Sequence, residues 1–169
     1  MSTNPSILEI GPGRGDFLIS LAQNNPLKQI AAIEYKRKRF EKLLRRLEPY
    51  PNVSVLFGDA RIVVPEKFQE EVFDEVYILY SDPWPKRRHA KHRLFQTPFL
   101  KDLHRSLKAG GSVFVATDDS QYKNQIQEVF AELPEFLLKT ADASLFPTFY
   151  AEKWSREGRS LQAMAYKKA

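Results

Sequence analysis

The most informative part of the sequence is a run of reactive and charged side chains, Ser81-Asp82-Pro83-Trp84-Pro85-Lys86-Arg87-Arg88-His89. It puts a carboxylate, an aromatic ring and several cations side by side, and the cations continue through Lys91, His92 and Arg93. An apolar run over residues 76–79 comes directly before it and is typical of a buried strand. Ligands bind at such strand ends in open α/β sheets. A carboxylate for a reacting base, an aromatic ring to pack on it and cations for phosphates indicate a nucleic-acid active site.

A second constellation follows the first predicted strand. Glycines recur in Glu9-Ile10-Gly11-Pro12-Gly13-Arg14-Gly15, where they let the backbone turn sharply and let a ligand approach it. The spacing is G-x-G-x-G, whereas the dinucleotide fingerprint is G-x-G-x-x-G. Glu34 lies 19 residues past Gly15, near the offset at which an acid hydrogen-bonds a ribose diol. Asp59, just past the third strand, lies where an adenine ring is expected, and Glu9 suits a cationic or amino-bearing ligand.

The positive charge is concentrated in two short segments. Residues 36–46 carry seven Lys/Arg against one acid, and residues 86–93 carry five Lys/Arg, two histidines and no acid. The rest of the chain has 14 Lys/Arg against 20 Asp/Glu, so its net charge is −6 although the whole chain is +5. Basic patches attract polyanions and supply sequence-independent affinity for phosphates. The first segment fits the solvated face of a helix equally well.

The elements that must position these residues alternate between strands and helices. Apolar runs predict strands at 7–10, 30–34, 53–57, 76–79 and 112–116, with late strands at 136–139 and 161–166. Helices are predicted over 17–22, around a buried stripe of Phe40, Leu43, Leu44 and Leu47, over 95–107 with a stop at Gly110-Gly111, and around residues 122–130. This alternation predicts a single α/β domain over residues 1–169 with a mostly parallel sheet.

Composition excludes several classes of function. The chain has 169 residues and no cysteine, which excludes disulfides, thiolate zinc sites and a cysteine nucleophile. No apolar run approaches the length needed to span a membrane, and the N-terminus lacks a signal-peptide pattern. We therefore expect a soluble cytoplasmic protein without a membrane partner.

Taken together, these motifs resemble the bacterial tRNA (guanine-N7-)-methyltransferase family. The resemblance rests on E-x-G-x-G-x-G, Glu34, Asp59-Ala60 and the Asp82-to-His89 run, and it continues through Ala116-Thr117-Asp118 and 148–158. The glycine motif is shared by S-adenosylmethionine enzymes generally, whereas the Asp-Pro-Trp-Pro-Lys-Arg-Arg-His run is far more specific. The family implies a class I, Rossmann-like methyltransferase fold with a late antiparallel strand. Its product is 7-methylguanosine in the tRNA variable loop, and its members occur as monomers or homodimers.

The resemblance also implies roles for individual residues. The S-adenosylmethionine site consists of Glu9, Gly11, Gly13, Gly15, Glu34, Asp59, Ala60 and Asp82. Asp82 is in addition the catalytic residue. Substrate contacts are implied for Lys86, Asp118 and Thr148, and tRNA contacts for Arg88, His89, Lys91, His92 and Arg93.

The chemistry is consistent with those roles. The guanine N7 has an available lone pair, so the site needs alignment and charge stabilisation rather than a strong base. Asp82 could stabilise the cationic base, bind the guanine N–H edge or bind the cofactor's ammonium. Trp84 could stack on an extruded base or simply pack at the strand end. No metal is expected at His89 and His92, because no acid lies near them in sequence.

Three features qualify this interpretation. Asp118 is either a substrate contact or part of a helix N-cap, with Asp119 or Ser120 the better cap. The family usually has Thr-x-(Phe/Tyr)-Glu near the C-terminus, but Ala151 stands at the glutamate position. Either Glu152 substitutes for it through a local shift, or Lys153, Arg156 and Arg159 carry the substrate binding. Relatives generally carry a segment before the first strand that helps to cover the cofactor, and lower cofactor affinity is expected if that cover is missing.

Three other functions stay open on the sequence alone. An NAD-dependent oxidoreductase is disfavoured by the glycine spacing. A methyltransferase acting on an exocyclic amine of DNA or RNA is suggested by Asp-Pro-Trp, although Trp84 replaces the second proline of that motif. A non-catalytic RNA-binding module that kept the fold is favoured by Ala151.

Overall fold

The computed structural model describes residues 5–146 and 148–169 and contains one seven-stranded sheet. Residues 1–4 lie outside the described residues. They belong to the N-terminus that is predicted to lack a signal peptide. The strands, in chain order, are β1 Ile7–Ile10, β2 Ile30–Glu34, β3 Val53–Phe57, β4 Phe73–Leu79, β5 Leu107–Thr117, β6 Phe136–Lys139 and β7 Gln162–Lys168. The helices are α1 Asp16–Asn24, α2 Arg37–Arg46, α3 Ala60–Lys67, α4 Thr97–Ser106, α5 Ser120–Ala131 and α6 Phe149–Arg156.

The sheet has the order β3-β2-β1-β4-β5-β7-β6. The first five strands pair in parallel, while β7 is antiparallel to both β5 and β6. The predicted mostly parallel sheet with a late antiparallel strand is therefore confirmed. The order reverses between β1 and β4, and this switch point is where open α/β sheets bind ligands.

Alternate side chains of each strand pack into two cores, one on each face of the sheet. On one face, Leu8, Ile33, Ile78 and Val115 pack with buried residues of α3, α4 and α5. On the other face, Ile7, Ala32 and Leu79 pack with α1, α2 and Phe146. Such continuous apolar strands are expected where helices cover both faces of a parallel sheet.

Several local predictions need correction. The helix expected to end at Gly110-Gly111 ends at Ser106, and both glycines lie inside β5. The pairing of β5 with β4 is irregular between Phe73 and Glu75, and a Cβ on Gly111 would lie 3.0 Å from the carbonyl oxygen of Phe73. The close approach of two backbones thus explains this glycine.

The stripe predicted on α2 is only partly buried. Leu43 and Leu47 are buried, but Leu44 is 49% exposed. Basic residues of α2 also make contacts of their own. Arg46 binds the Asp16 carboxylate at 2.5 Å, and the Arg37 guanidinium lies 4.4 Å from the centre of the Phe57 ring. The sequence patterns predicted no helix at α3 or α6.

No helix in the described part of the chain is long and apolar enough to cross a membrane.

Candidate active site

The turn between β1 and α1 forms one wall of the site. Gly11, Gly13 and Gly15 all have positive φ, at 71°, 59° and 84°, a conformation that side chains disfavour. A Cβ on Gly15 would lie 2.6 Å from Cδ2 of Leu43, whereas a Cβ on Gly11 would meet nothing within 4 Å. Gly15 therefore lets α1 pack against α2, while Gly11 borders the open space of the cavity.

Two carboxylates lie at the ends of the neighbouring strands. Glu9 and Glu34 are only 2% and 1% exposed. Glu34 accepts a hydrogen bond from the backbone amide of Lys36 at 2.8 Å, but Oε2 of each glutamate has no partner among the described residues. Burial, helped by the charges of Asp16 and Glu34, raises the pKa of Glu9 to about 8. Buried carboxyl oxygens without partners suit a ligand that brings hydroxyl, amino or cationic groups, and a cationic group beside Glu9 would favour its ionised form.

Asp59 caps helix α3 and holds an arginine that the sequence analysis did not single out. Its Oδ1 accepts from the backbone amide of Arg61 at 2.9 Å, and the Arg61 guanidinium donates to Oδ2 at 2.6 Å. These hydrogen bonds lower the pKa of Asp59. The pattern Asp-x-Arg at a predicted strand end was the available signal. Arg61 also reaches the Lys91 carbonyl at 3.4 Å, which links this strand end to the basic segment.

Asp82 lies in a tight, strained turn after β4. Its Oδ1 accepts from the Trp84 amide at 3.0 Å. Tyr80 and Trp84, on either side of it, have positive φ of 56° and 43°. Non-glycine residues in this conformation are uncommon and concentrate at functional sites. The turn holds the exposed Asp82 at the edge of the cavity.

The basic run forms a 3₁₀ segment, Arg87–His92, beside that turn. The Trp84 ring packs against His92 and His89, with ring centres 5.1 and 5.7 Å apart. Arg93 donates to the carbonyls of Pro83 at 2.8 Å and Trp84 at 3.2 Å, so it holds the turn in place. Its predicted tRNA contact is untested. Lys86, Arg88 and Lys91 have exposed side chains.

Residues from β4, the end of β5 and the C-terminal region meet on the other side of the turn. Asp118 pairs with Arg159 at 2.8 Å. The Arg159 guanidinium lies 5.3 Å from the Trp154 ring centre, and that ring meets the Tyr80 ring edge-on at 5.2 Å. Asp119 caps α5 through the Tyr122 amide, so the cap falls to Asp119 rather than Asp118. The substrate contact of Asp118 stays a prediction.

Helix α6 begins at a cap rather than with a carboxylate facing the site. Thr148 accepts from the amide of Ala151 at 2.9 Å. Ala151 is buried, whereas Glu152 is exposed and does not line the cavity. Glu152 therefore does not replace the family's glutamate in this conformation.

These elements surround one cavity of about 510 Å³. Of the residues assigned from the sequence, the cavity is lined by Glu9, Gly11, Gly13, Glu34, Asp59, Ala60, Asp82, His92 and Thr148. The remaining ones, which do not line it, are Gly15, Lys86, Arg88, His89, Lys91, Arg93 and Asp118. The cavity also includes Tyr35, Arg61, Tyr80, Trp84 and Trp154. The site predictions stay predictions, but the acids of three strand ends and the Asp82 turn do share one space.

The residues present fit S-adenosylmethionine. Its amino group and ribose hydroxyls are donors for the unpartnered oxygens of Glu9 and Glu34, and the open space beside Gly11 lets a ligand reach the backbone. A positively charged group suits the space beside Glu9 in particular, because that carboxyl is buried with the charges of Asp16 and Glu34 nearby.

Comparison with solved structures identifies the fold. A 16S rRNA methyltransferase, KamB, superposes with a TM-score of 0.70 at 16% identity, covering 98% of this chain and 88% of that one. A SAM-dependent methyltransferase from Aquifex aeolicus gives 0.69 at 10% identity, covering 99% and 85%. The fold is therefore that of the S-adenosylmethionine-dependent methyltransferases.

Sequence comparison identifies the family. A family model described as "Putative methyltransferase" matches residues 3–165. A tRNA (guanine-N(7)-)-methyltransferase of Nitrosomonas europaea is 35% identical over 87% of this chain and 66% of that protein. The corresponding protein of Nitrosomonas eutropha is 31% identical over 99% and 78%. That of Neisseria meningitidis serogroup A is 34% identical over 95% and 68%. The chain thus spans about two thirds to four fifths of these relatives, and it belongs to the tRNA (guanine-N(7)-)-methyltransferase family.

Proposed function

We propose that this protein transfers a methyl group from S-adenosylmethionine to N7 of a guanosine in the variable loop of tRNA, using a single domain over residues 1–169. The observation that carries the proposal is one shared cavity. Buried, unpartnered oxygens of Glu9 and Glu34 lie on one side of it, and the Asp82–Trp84 turn lies on the other, next to the basic 3₁₀ segment.

The cofactor residues are those at the ends of the first three strands. Glu9 and Glu34 accept hydrogen bonds from the amino and hydroxyl groups, the Gly11–Gly15 turn provides close backbone approach, and Asp59 with Ala60 borders the third strand end. When bound, S-adenosylmethionine supplies a methyl group on a positively charged sulfur. The Arg61 ion pair fixes the Asp59 carboxylate in one orientation.

Asp82 acts by charge and position. Guanine N7 uses its own lone pair, so no side chain has to remove a proton first. The base becomes cationic as the bond to N7 forms, and a fixed carboxylate nearby stabilises that charge. The hydrogen bond from the Trp84 amide holds the Asp82 carboxylate in place, which reduces the reorganisation needed during the reaction.

The basic segment binds the tRNA backbone. Lys86, Arg88 and Lys91 present exposed cations beside the cavity, and cations of this kind bind phosphates without reading sequence. His89 and His92 lie on the same segment, against the Trp84 ring.

Thr148 and Asp118 contact the target nucleotide from the C-terminal side. Because tRNA is its substrate, the protein acts in the cytoplasm. It acts as a monomer or a homodimer, as the family resemblance implies.

The test is methyl transfer to defined transcripts. Labelled S-adenosylmethionine is incubated with unmodified tRNA, and the digested product is analysed for methylated nucleosides. We expect 7-methylguanosine, lost when the variable-loop guanosine is replaced. Label in a methylated exocyclic amine would instead support the amino-group alternative, and no label despite binding would support the RNA-binding module.

Asp82→Asn tests whether the negative charge of Asp82 is needed for the reaction. Asparagine keeps an oxygen to accept from the Trp84 amide, so the turn should be retained while the negative charge is removed. We expect kcat to fall by roughly 100-fold or more, with tRNA affinity and melting temperature nearly unchanged. A variant with wild-type kcat would remove Asp82 from catalysis, and one that fails to fold would show a structural role.

A further inference from the structure

The hydroxyl of Tyr80 is a polar group at the cavity that the mechanism above does not use. Tyr80 is the first residue after β4, and it lines the cavity. Its amide donates to the Ala116 carbonyl at 2.7 Å, and its φ of 56° is unusual for a residue with a side chain. Since backbone strain of this kind persists where the surroundings enforce it, the fold holds the backbone of this residue in a defined conformation two residues before Asp82.

The hydroxyl oxygen is shielded from solvent and has no hydrogen-bond partner within residues 5–146 and 148–169. Buried hydroxyl groups nearly always have a partner, because an unpaired one costs free energy. Burial, with the charge of Asp118 as a second cause, raises the pKa of Tyr80 to about 12. The group therefore keeps its proton at neutral pH and has a hydrogen bond to donate.

The polar groups around Tyr80 differ from it in charge or in already having a partner. Asp82 and Asp118 are acceptors when ionised. The Arg159 guanidinium is paired with Asp118 at 2.8 Å. The Ser81 hydroxyl lies 3.4 Å from that of Tyr122, and the Thr148 hydroxyl accepts from the Ala151 amide. Among the described residues, the Tyr80 hydroxyl is the one that is buried without any partner. Ala151 brings no polar side chain to the position where the family usually has a carboxylate.

Guanine needs both kinds of partner. Its N1–H and 2-amino groups are donors that suit the carboxylates, whereas its O6 is an acceptor that a carboxylate repels. We propose that the Tyr80 hydroxyl donates a hydrogen bond to O6 of the target guanine and thereby helps to select the base. This inference rests on the proposed function. The hydroxyl is shielded from solvent in this conformation, so binding requires a neighbouring side chain to move. The Trp154 ring, which packs edge-on against Tyr80 at 5.2 Å, is the side chain that we expect to move.

The experiment combines Tyr80→Phe with three tRNA substrates. Phenylalanine keeps the ring and its packing and removes only the hydroxyl. The target position carries one of three bases. Guanosine has all groups, inosine keeps O6 and N1–H but lacks the 2-amino group, and 2-aminopurine keeps the 2-amino group but lacks O6 and the N1 proton. We expect Tyr80→Phe to lower kcat/KM about tenfold on guanosine and on inosine, and to change it less than twofold on 2-aminopurine.

Tyr166→Phe is the matched control. Burial also raises the pKa of Tyr166 to about 12, but its hydroxyl faces the Met164 sulfur at 3.6 Å, away from the cavity. This variant should leave kcat/KM unchanged on all three substrates.

The outcomes separate this inference from the function on which it rests. If the wild-type protein makes no 7-methylguanosine, the proposed function fails and the inference fails with it. If the wild-type protein is active and Tyr80→Phe matches it, only the inference fails. An equal reduction on all three substrates would show that the hydroxyl supports the turn rather than O6, which would also overturn it.

Discussion

Glu9 shows how the fold changes the chemistry of a single residue. Its side chain lies on a central strand, 2% exposed, with Asp16 and Glu34 as charged neighbours. Its carboxyl therefore holds a proton up to a pH of about 8, although the ordinary pKa is 4.5. A cationic ligand beside it would favour the ionised form, so the residue can respond to binding as well as to pH.

This pKa makes the stability of the protein depend on pH. Between about pH 5 and 8 the folded protein keeps a proton on Glu9 that the unfolded chain has released, so the free energy of unfolding should fall as pH rises through this range. Glu9→Gln, which resembles the protonated form, should flatten that dependence. Urea denaturation at a series of pH values measures it. Glu48→Gln on the exposed surface is the control, and an unchanged slope in Glu9→Gln would contradict the assignment.

At the scale of elements, two glycines of the β1–α1 turn have different roles, one in packing and one at the cavity. Both Gly11 and Gly15 have positive φ, but only Gly15 faces a neighbour. Gly15→Ala should cost about 2 kcal/mol or more, since strain is added to a clash with Leu43. Gly11→Ala should cost about 1 kcal/mol of strain but weaken S-adenosylmethionine binding, because its methyl group enters the cavity. Thermal denaturation and calorimetric titration measure the two effects, and equal reductions in stability would contradict the distinction.

The basic 3₁₀ segment and the residue that follows it likewise include side chains of two kinds. Arg88 and Lys91 have exposed side chains, whereas Arg93 donates to the Pro83 and Trp84 carbonyls. Replacing Arg88 and Lys91 together by glutamine should weaken tRNA binding. The slope of log affinity against log salt concentration should become shallower by about 0.7–0.9 for each phosphate that is no longer neutralised. Stability should not change.

Arg93→Gln is the counterpart of that double variant. It should lower both kcat and the melting temperature, because two carbonyls of the Asp82 turn lose their donor. Binding titrations over a salt series, with melting curves for each variant, measure both expectations. A double variant that binds with the wild-type salt slope would remove the segment from the tRNA surface.

At the scale of the whole molecule, one sheet connects every part of the site. Both faces of the same strands carry a core, so local unfolding on one face should disturb the other. We expect a single unfolding transition, with far-ultraviolet circular dichroism and tryptophan fluorescence changing together. Trp84 and Trp154 both line the cavity, so the fluorescence reports on the site.

Ligand binding should shift the midpoint of that unfolding transition equally in both signals. S-adenosylmethionine at 100 times its Kd should add about 2.7 kcal/mol to the free energy of unfolding, in both signals. Separate transitions would show that the site unfolds independently of the sheet and would contradict this expectation.

Much of the fold follows from the sequence because it depends on local patterns. The bounds of β2, β3 and β6 agree with their apolar runs, and the alternation of strands and helices implies a parallel sheet. The predictions failed where the pattern was short or contradictory. Helix α3 has only eight residues and contains Pro65, and the irregular pairing of β5 depends on a neighbouring strand that no local window includes.

The same distinction between local pattern and tertiary structure applies to the site. The sequence by itself determined which residues have the right chemistry and which strand ends carry them, since carboxyl ends of parallel strands share an edge. Only the tertiary structure decided which of those groups already have partners. It pairs Asp59 with Arg61 and Asp118 with Arg159, and it turns Arg93 toward the backbone of the Asp82 turn. It also leaves oxygens of Glu9, Glu34 and Tyr80 buried without partners among the described residues. Hydrogen bonds and burial depend on distances between residues far apart in the chain, and sequence spacing does not specify those distances.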